Sequence, residues 1–177
     1  MLPDYAPQLS PIWLLNNAIL ILLFLSATVT DLKWNRIYNL QTYPAMAFGL
    51  VLGFAAEGAH GVLMSFLGLI VGLSLLSVFY LLGGVGAGDV KLLGAIGALK
   101  GSSFVLWTMF YTGLVGGAMA LALIIWRGSV RQTLKNLIFF SRHPLRFQRE
   151  QDPQKHQYLP YGLAISIGCF CALCTLY

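Results

Sequence analysis

Long apolar runs, separated by short polar or glycine-rich breaks, occupy most of this chain of 177 residues. Hydrophobic residues make up 58% of the sequence and charged residues only 10%, compared with roughly 25% charged residues in ordinary soluble domains. So few charged side chains do not cover an apolar interior of this size in water. The pattern excludes a soluble enzyme and a nucleic-acid-binding module, and it predicts an integral protein of the lipid bilayer.

Six apolar runs predict an all-α polytopic membrane bundle of about six transmembrane helices, in a single membrane-embedded domain over residues 1–177. The runs cover residues 12–30, 40–56, 62–82, 90–99, 104–126 and 159–176. The fourth run has about ten residues, whereas a full crossing needs roughly 20, so we expect a short helix, either continuous or broken, inside the bundle. A polar segment, residues 127–158, separates the last two runs.

The basic residues predict the orientation of these helices. If six helices alternate in direction, ten of the 11 Lys and Arg residues fall on one side of the membrane, most of them in the 127–158 segment. Because basic residues concentrate on the cytoplasmic side, that side is predicted to be cytoplasmic and both termini to be outside. The polar segment is either a topological anchor or a docking surface for a partner or for anionic lipid headgroups.

Two acidic residues, Asp31 and Asp89, abut apolar helices on the predicted cytoplasmic side, whereas the other four acidic residues fall in loops or at a terminus. A carboxylate deep in the bilayer costs at least ~2.5 kcal/mol, so two at one depth indicate a function. When two carboxylates are close, the ionised one takes a proton from water and the protonated one polarises a carbonyl group, as in aspartic proteases. This chemistry requires no metal and no other cofactor.

The residues alone leave two other interpretations open. Asp31 and Asp89 are also the acids that a small proton-coupled transporter or channel component would use as a proton relay. Alternatively, the chain is a structural membrane subunit in which Asp89 caps a helix and Asp31 pairs with Lys33 and Arg36. Lys91, two residues after Asp89, would point away from it on a helix, so we interpret Lys91 mainly as an interfacial anchor.

Three patches carry a family resemblance. They are DLKWNRIYN at residues 31–39, GAGDVK at residues 86–91 and LPYG at residues 159–162. Together they resemble the type IV prepilin peptidases, membrane aspartic proteases with a Gly-X-Gly-Asp motif. The resemblance implies that Asp31 and Asp89 form the catalytic dyad. It also implies supporting positions at Gly86, Gly88, Lys91, Arg36, Asn39, Pro160 and Gly162.

The resemblance also implies a function. The domain would be a peptidase of a bacterial or archaeal inner membrane that removes the basic leader of a prepilin-like, single-helix protein substrate at the cytoplasmic face. The chain lacks the four-cysteine zinc domain of longer relatives and resembles the short branch that serves tight-adherence (Flp) pili. Tyr38 stands where the family usually has proline, so we expect this loop to turn differently. Whether the chain also N-methylates its product, and in which oligomeric state it works, stays open.

Overall fold

The computed structural model describes residues 10–126 and 161–176, and the elements in these ranges are six α-helices. They are α1 (Pro11–Trp34), α2 (Asn39–Glu57), α3 (Ala59–Leu81), α4 (Ala87–Lys100), α5 (Ser102–Trp126) and α6 (Tyr161–Leu176). The predicted all-α bundle is confirmed, and each predicted run coincides with one helix to within a few residues at its ends. The polar segment 127–158 lies outside the described residues.

Three of the described helices, α1, α3 and α5, are long and apolar enough to cross a membrane. The chain is therefore a multi-pass membrane protein. Helix α4 has 14 residues, which at 1.5 Å per residue extend about 21 Å, less than the roughly 30 Å of a hydrocarbon core. The prediction of a short fourth helix is thus confirmed.

Helix α4 is the buried centre of the bundle, and every residue in 92–99 is buried. It packs mainly against α2 and α3, where glycines allow the backbones to approach closely. A Cβ atom at Gly72 of α3 would lie 2.5 Å from the Leu93 carbonyl oxygen, and one at Gly49 of α2 would lie 2.5 Å from the Ala98 carbonyl carbon. The position of α4 is therefore set by backbone contact along most of its length.

Both ends of α1 have local signals that fix where the helix begins and ends. Ser10 accepts a hydrogen bond from the Trp13 N–H through its Oγ (3.2 Å), and Pro11 suits the first turn because it needs no amide donor. At the other end Asn35 adopts a left-handed conformation (φ 50°, ψ 37°) and its N–H donates to the Asp31 carbonyl oxygen at 2.8 Å. The chain therefore turns sharply just after Asp31.

The helix directions bring four helix termini together. At one end of the bundle α1 ends and α2, α4 and α6 begin, because the starts of α2 and α4 line one cavity with Asp31 and the start of α6 bonds to Asp31. At the opposite end Asn16, near the start of α1, donates through its Nδ2 to the Leu99 carbonyl oxygen near the end of α4, at 2.7 Å. Helices α1 and α4 are consequently antiparallel, and residues far apart in sequence share one end of the molecule.

Candidate active site

An open cavity of about 380 Å³ lies where α1 ends and α2 and α4 begin. One wall is Asp31 with the connection from α1 to α2, and the other is the first turn of α4. The lining residues are Asp31, Asn35, Arg36, Ile37, Tyr38, Asn39, Gly86, Ala87, Gly88 and Asp89. The structure thus brings both acidic residues, and the predicted supporting residues Arg36, Asn39, Gly86 and Gly88, to a single site.

Asp31 lies one turn before the end of α1 and is 7% exposed. Its Oδ2 accepts a hydrogen bond from the Leu163 N–H, in the first turn of α6, at 3.2 Å. The first amides of a helix have no partner within the helix and carry partial positive charge, so they favour an anion at this position. Helix α6 therefore both holds the Asp31 side chain and stabilises its carboxylate.

Gly162 provides the space that this contact requires. A Cβ atom at Gly162 would lie 2.8 Å from Oδ2 and 2.9 Å from Cγ of Asp31. Any larger residue would displace the carboxylate, so the glycine of the predicted LPYG patch has a steric role beside Asp31. Pro160, two residues earlier, lies outside the described residues.

Asp89 is the third residue of α4 and is 8% exposed. Its Oδ2 accepts a hydrogen bond from the Gly86 N–H at 3.2 Å, whereas its Oδ1 is buried and has no hydrogen-bond partner in the described part of the chain. An oxygen of this kind is able to carry a proton or to bind a water molecule. One oxygen of Asp89 is therefore engaged at the helix start, and the other has no partner among the described residues.

Asp31 and Asp89 are close enough to interact electrostatically. Two carboxylates that repel one another reduce the repulsion when one of them keeps a proton, and such a pair titrates as a unit. The cavity therefore holds two interacting carboxyl groups.

The helix-capping interpretation accounts for only part of this geometry. Asp89 does bond back to Gly86, but Gly86 itself, and not Asp89, is the N-cap of α4. Within the described residues, Asp31 forms no ion pair with Lys33 or Arg36, and the Lys33 Nζ instead lies 5.8 Å from the centre of the Trp34 ring. The ion pairs suggested for Asp31 are therefore absent from the described structure.

The first turn of α4 contacts the α1–α2 connection at two points. A Cβ atom at Gly88 would lie 2.9 Å from the Ile37 Cβ, so the glycine allows close packing there. Lys91 donates from its Nζ to the Asn39 Oδ1 at 2.8 Å. Lys91 therefore also contacts the facing helix α2, a contact that its interpretation as mainly an interfacial anchor does not include.

Three residues of the site, Asn35, Ile37 and Leu163, were not predicted individually as site residues, although the first two lie within the DLKWNRIYN patch. Ile37 acts through apolar contact and Leu163 through a backbone amide, and neither is marked by side-chain chemistry. Asn35 was recognisable in principle, since asparagine after a helix favours the left-handed conformation. Tyr38 has φ −85° and ψ 142°, close to the polyproline region, so the proline usual in the family would fit this backbone.

One family model matches the chain. It is described as the type IV leader peptidase family and covers residues 18–121, more than half of the chain, including Asp31 and Asp89. No curated protein and no solved structure shows significant similarity to the chain.

Proposed function

The chain belongs to the type IV leader peptidase family, and on this premise we propose that it is an aspartic endopeptidase that removes the basic leader from prepilin-like substrates. One observation carries the proposal: Asp31 of α1 and Asp89 of α4 line the same cavity. These residues are 58 positions apart in the sequence, and the bundle brings them together, with one carboxylate oxygen of Asp89 lacking a partner among the described residues.

The chemistry proposed for this pair is the direct hydrolysis of a peptide bond. The ionised carboxylate removes a proton from a water molecule as the water oxygen attacks the scissile carbonyl carbon. The protonated carboxyl group donates its proton to the carbonyl oxygen. The tetrahedral intermediate then collapses and the C–N bond breaks: the carboxyl group that took the proton from water donates it to the leaving amine nitrogen, and the other carboxylate regains a proton from the intermediate's hydroxyl group. The leader leaves with a new carboxylate, and no covalent intermediate with the enzyme forms.

An apolar groove beside Asp31 supports the choice of substrate. The groove lies between α1 and α6 and is lined mainly by Phe24, Leu25, Ile167 and Phe170. Leu163 also lines this groove, and its amide is the one that bonds to Asp31. We infer that the apolar helix of a prepilin lies along this groove, so that the peptide segment preceding that helix reaches the two carboxylates.

The positive-inside rule supports a cytoplasmic location for the site. Lys33, Arg36 and Lys91 lie in or beside the two segments that form the cavity walls, and basic residues concentrate on the cytoplasmic side of membrane proteins. In the proposed arrangement the cavity faces the cytoplasm and the start of α1 faces outside.

The experiment that tests this function uses purified protein in liposomes with a prepilin-like substrate that has a basic leader, a glycine and an apolar helix. Gel electrophoresis and mass spectrometry follow leader removal. We expect cleavage by the wild type and by Glu57→Gln, and none by Asp31→Asn or Asp89→Asn. Glu57 is the matched control because it is exposed and pairs with His60 at the turn between α2 and α3. Substantial cleavage by either aspartate variant would exclude the proposed mechanism, and proton flux without proteolysis would favour a transporter.

A further inference from the structure

The segment between α3 and α4, which leads into Asp89, is largely exposed. Residues 81–84 are exposed, and Gly83 has a positive φ of 76° with no described atom within 4 Å of a Cβ built there. The amides of Leu82, Gly83 and Gly84 bond back to the last turn of α3, but the location of the first turn of α4 also depends on contacts made by α4 itself.

Lys91 makes such a contact. Its Nζ donates to the Asn39 Oδ1 at 2.8 Å and lies 5.1 Å from the centre of the Tyr43 ring, one turn further along α2. The ammonium group is thus held between an amide oxygen and an aromatic face, both of which attract a cation. These contacts fasten the start of α4 to the start of α2.

Asn39 is joined in turn to Asp31. It is the first residue of α2 and lines the cavity, and only the short 35–38 connection separates it from α1. The Asn35 N–H at the start of that connection donates to the Asp31 carbonyl oxygen at 2.8 Å. The first turn of α4, which contains Asp89, is therefore connected to Asp31 through the Lys91–Asn39 hydrogen bond and the short connection between α1 and α2.

We propose that Lys91 is a positioning residue whose bond to Asn39 sets the separation of the Asp31 and Asp89 carboxylates. Lys91 does not line the cavity and points away from Asp89, so it acts through Asn39 and not on the reacting atoms. A kinetic test of this proposal rests on the proposed peptidase function, whereas a test by hydrogen–deuterium exchange does not.

The kinetic test compares leader cleavage by Lys91→Met, Asn39→Leu and the double variant. Methionine keeps the apolar stem and removes the donor. Because a misplacement of about 1 Å at a catalytic site costs on the order of 100-fold, we expect kcat to fall roughly 10- to 100-fold in each single variant, with KM changed less than about threefold. The double variant should be no slower than the slower single variant, since both remove the same bond.

Two matched variants keep this test specific. Lys91→Arg retains a donor and a cation over Tyr43, so it should recover most of the activity. Lys33→Met removes a positive charge two residues after Asp31, where the lysine contacts only the adjacent Trp34 ring in the described structure, and should leave cleavage unchanged. Wild-type kcat in Lys91→Met, or independent losses that multiply in the double variant, would overturn the proposal.

Hydrogen–deuterium exchange measures the positioning without any need for activity. We expect the amides of residues 86–91 to exchange at least about tenfold faster in Lys91→Met than in the wild type or Lys91→Arg, while residues 92–99 keep their protection. Unchanged exchange in residues 86–91 would overturn the positioning role. A wild type that cleaves no leader would refute the peptidase function, and the exchange result would still decide the role of Lys91.

Discussion

Replacing Gly162 with alanine tests the most constrained contact of the site. The new Cβ atom would lie 2.8 Å from the Asp31 Oδ2. An ordinary van der Waals contact of at least about 3.4 Å requires the carboxylate to move by about 0.6 Å. A shift of that size away from α6 lengthens the Leu163 N–H bond from 3.2 Å. The new length is about 3.8 Å, which is beyond hydrogen-bond distance. The Asp31 carboxylate would then lose both its position and its donor.

The expected result of Gly162→Ala is a 10- to 100-fold lower kcat for leader removal, equivalent to about 1.4–2.7 kcal/mol of transition-state stabilisation. The protein should remain folded, because alanine is favoured over glycine within a helix by about 0.5–1 kcal/mol. The matched control is Gly113→Ala on α5, where a Cβ atom meets no described atom within 4 Å. Single-turnover cleavage in liposomes, with thermal unfolding measured in parallel, separates the two effects. Wild-type kcat in Gly162→Ala would refute the steric reasoning, and an equal loss in Gly113→Ala would show that the effect is not specific.

Three further substitutions test the packing around the site. Gly88→Ala places a Cβ atom 2.9 Å from the Ile37 Cβ and should lower kcat roughly tenfold. Adding Ile37→Ala in a double variant should restore part of the lost kcat in the same cleavage assay. In Gly72→Ala the new Cβ atom would lie 2.5 Å from a backbone oxygen of α4. This substitution should lower the free energy of unfolding by about 1–3 kcal/mol. An unchanged midpoint of thermal unfolding would contradict the close packing. Tyr38→Pro should leave kcat and the unfolding midpoint nearly unchanged. Proline stiffens the unfolded chain, which stabilises the fold by about 0.4–1 kcal/mol, and this gain offsets the lost edge contact between Tyr38 and the Trp34 ring, whose centroids are 6.4 Å apart. A large loss of stability would show that the backbone at this position does not accept proline.

The helices could be predicted from the sequence because the apolar runs are long and the breaks between them are short. Once six helices alternate in direction, Asp31 and Asp89 must share one end of the bundle, whatever the details of packing. The short α4 was likewise evident from its length, since Ala87–Lys100 cannot span a hydrocarbon core.

The contacts inside the site depend on helix register, which the sequence pattern does not fix. Lys91 and Asn39 are 52 residues apart, and their bond exists only because α2 and α4 pack at one particular height. The Leu163 amide has no side-chain signal, and its role follows from how α6 begins beside α1. Gly162 was identified by resemblance, but its steric role became clear only from the position of the Asp31 carboxylate.

The central claim is that Asp31 and Asp89 act as one hydrolytic unit. The most direct measurement is kcat for leader removal by Asp31→Asn, by Asp89→Asn and by the double variant, compared with the uncatalysed background. Since residues that act as a unit are strongly non-additive, each single variant should lose as much activity as the double variant. A double variant that is much slower than both single variants would contradict the claim, because each carboxyl group would then contribute independently.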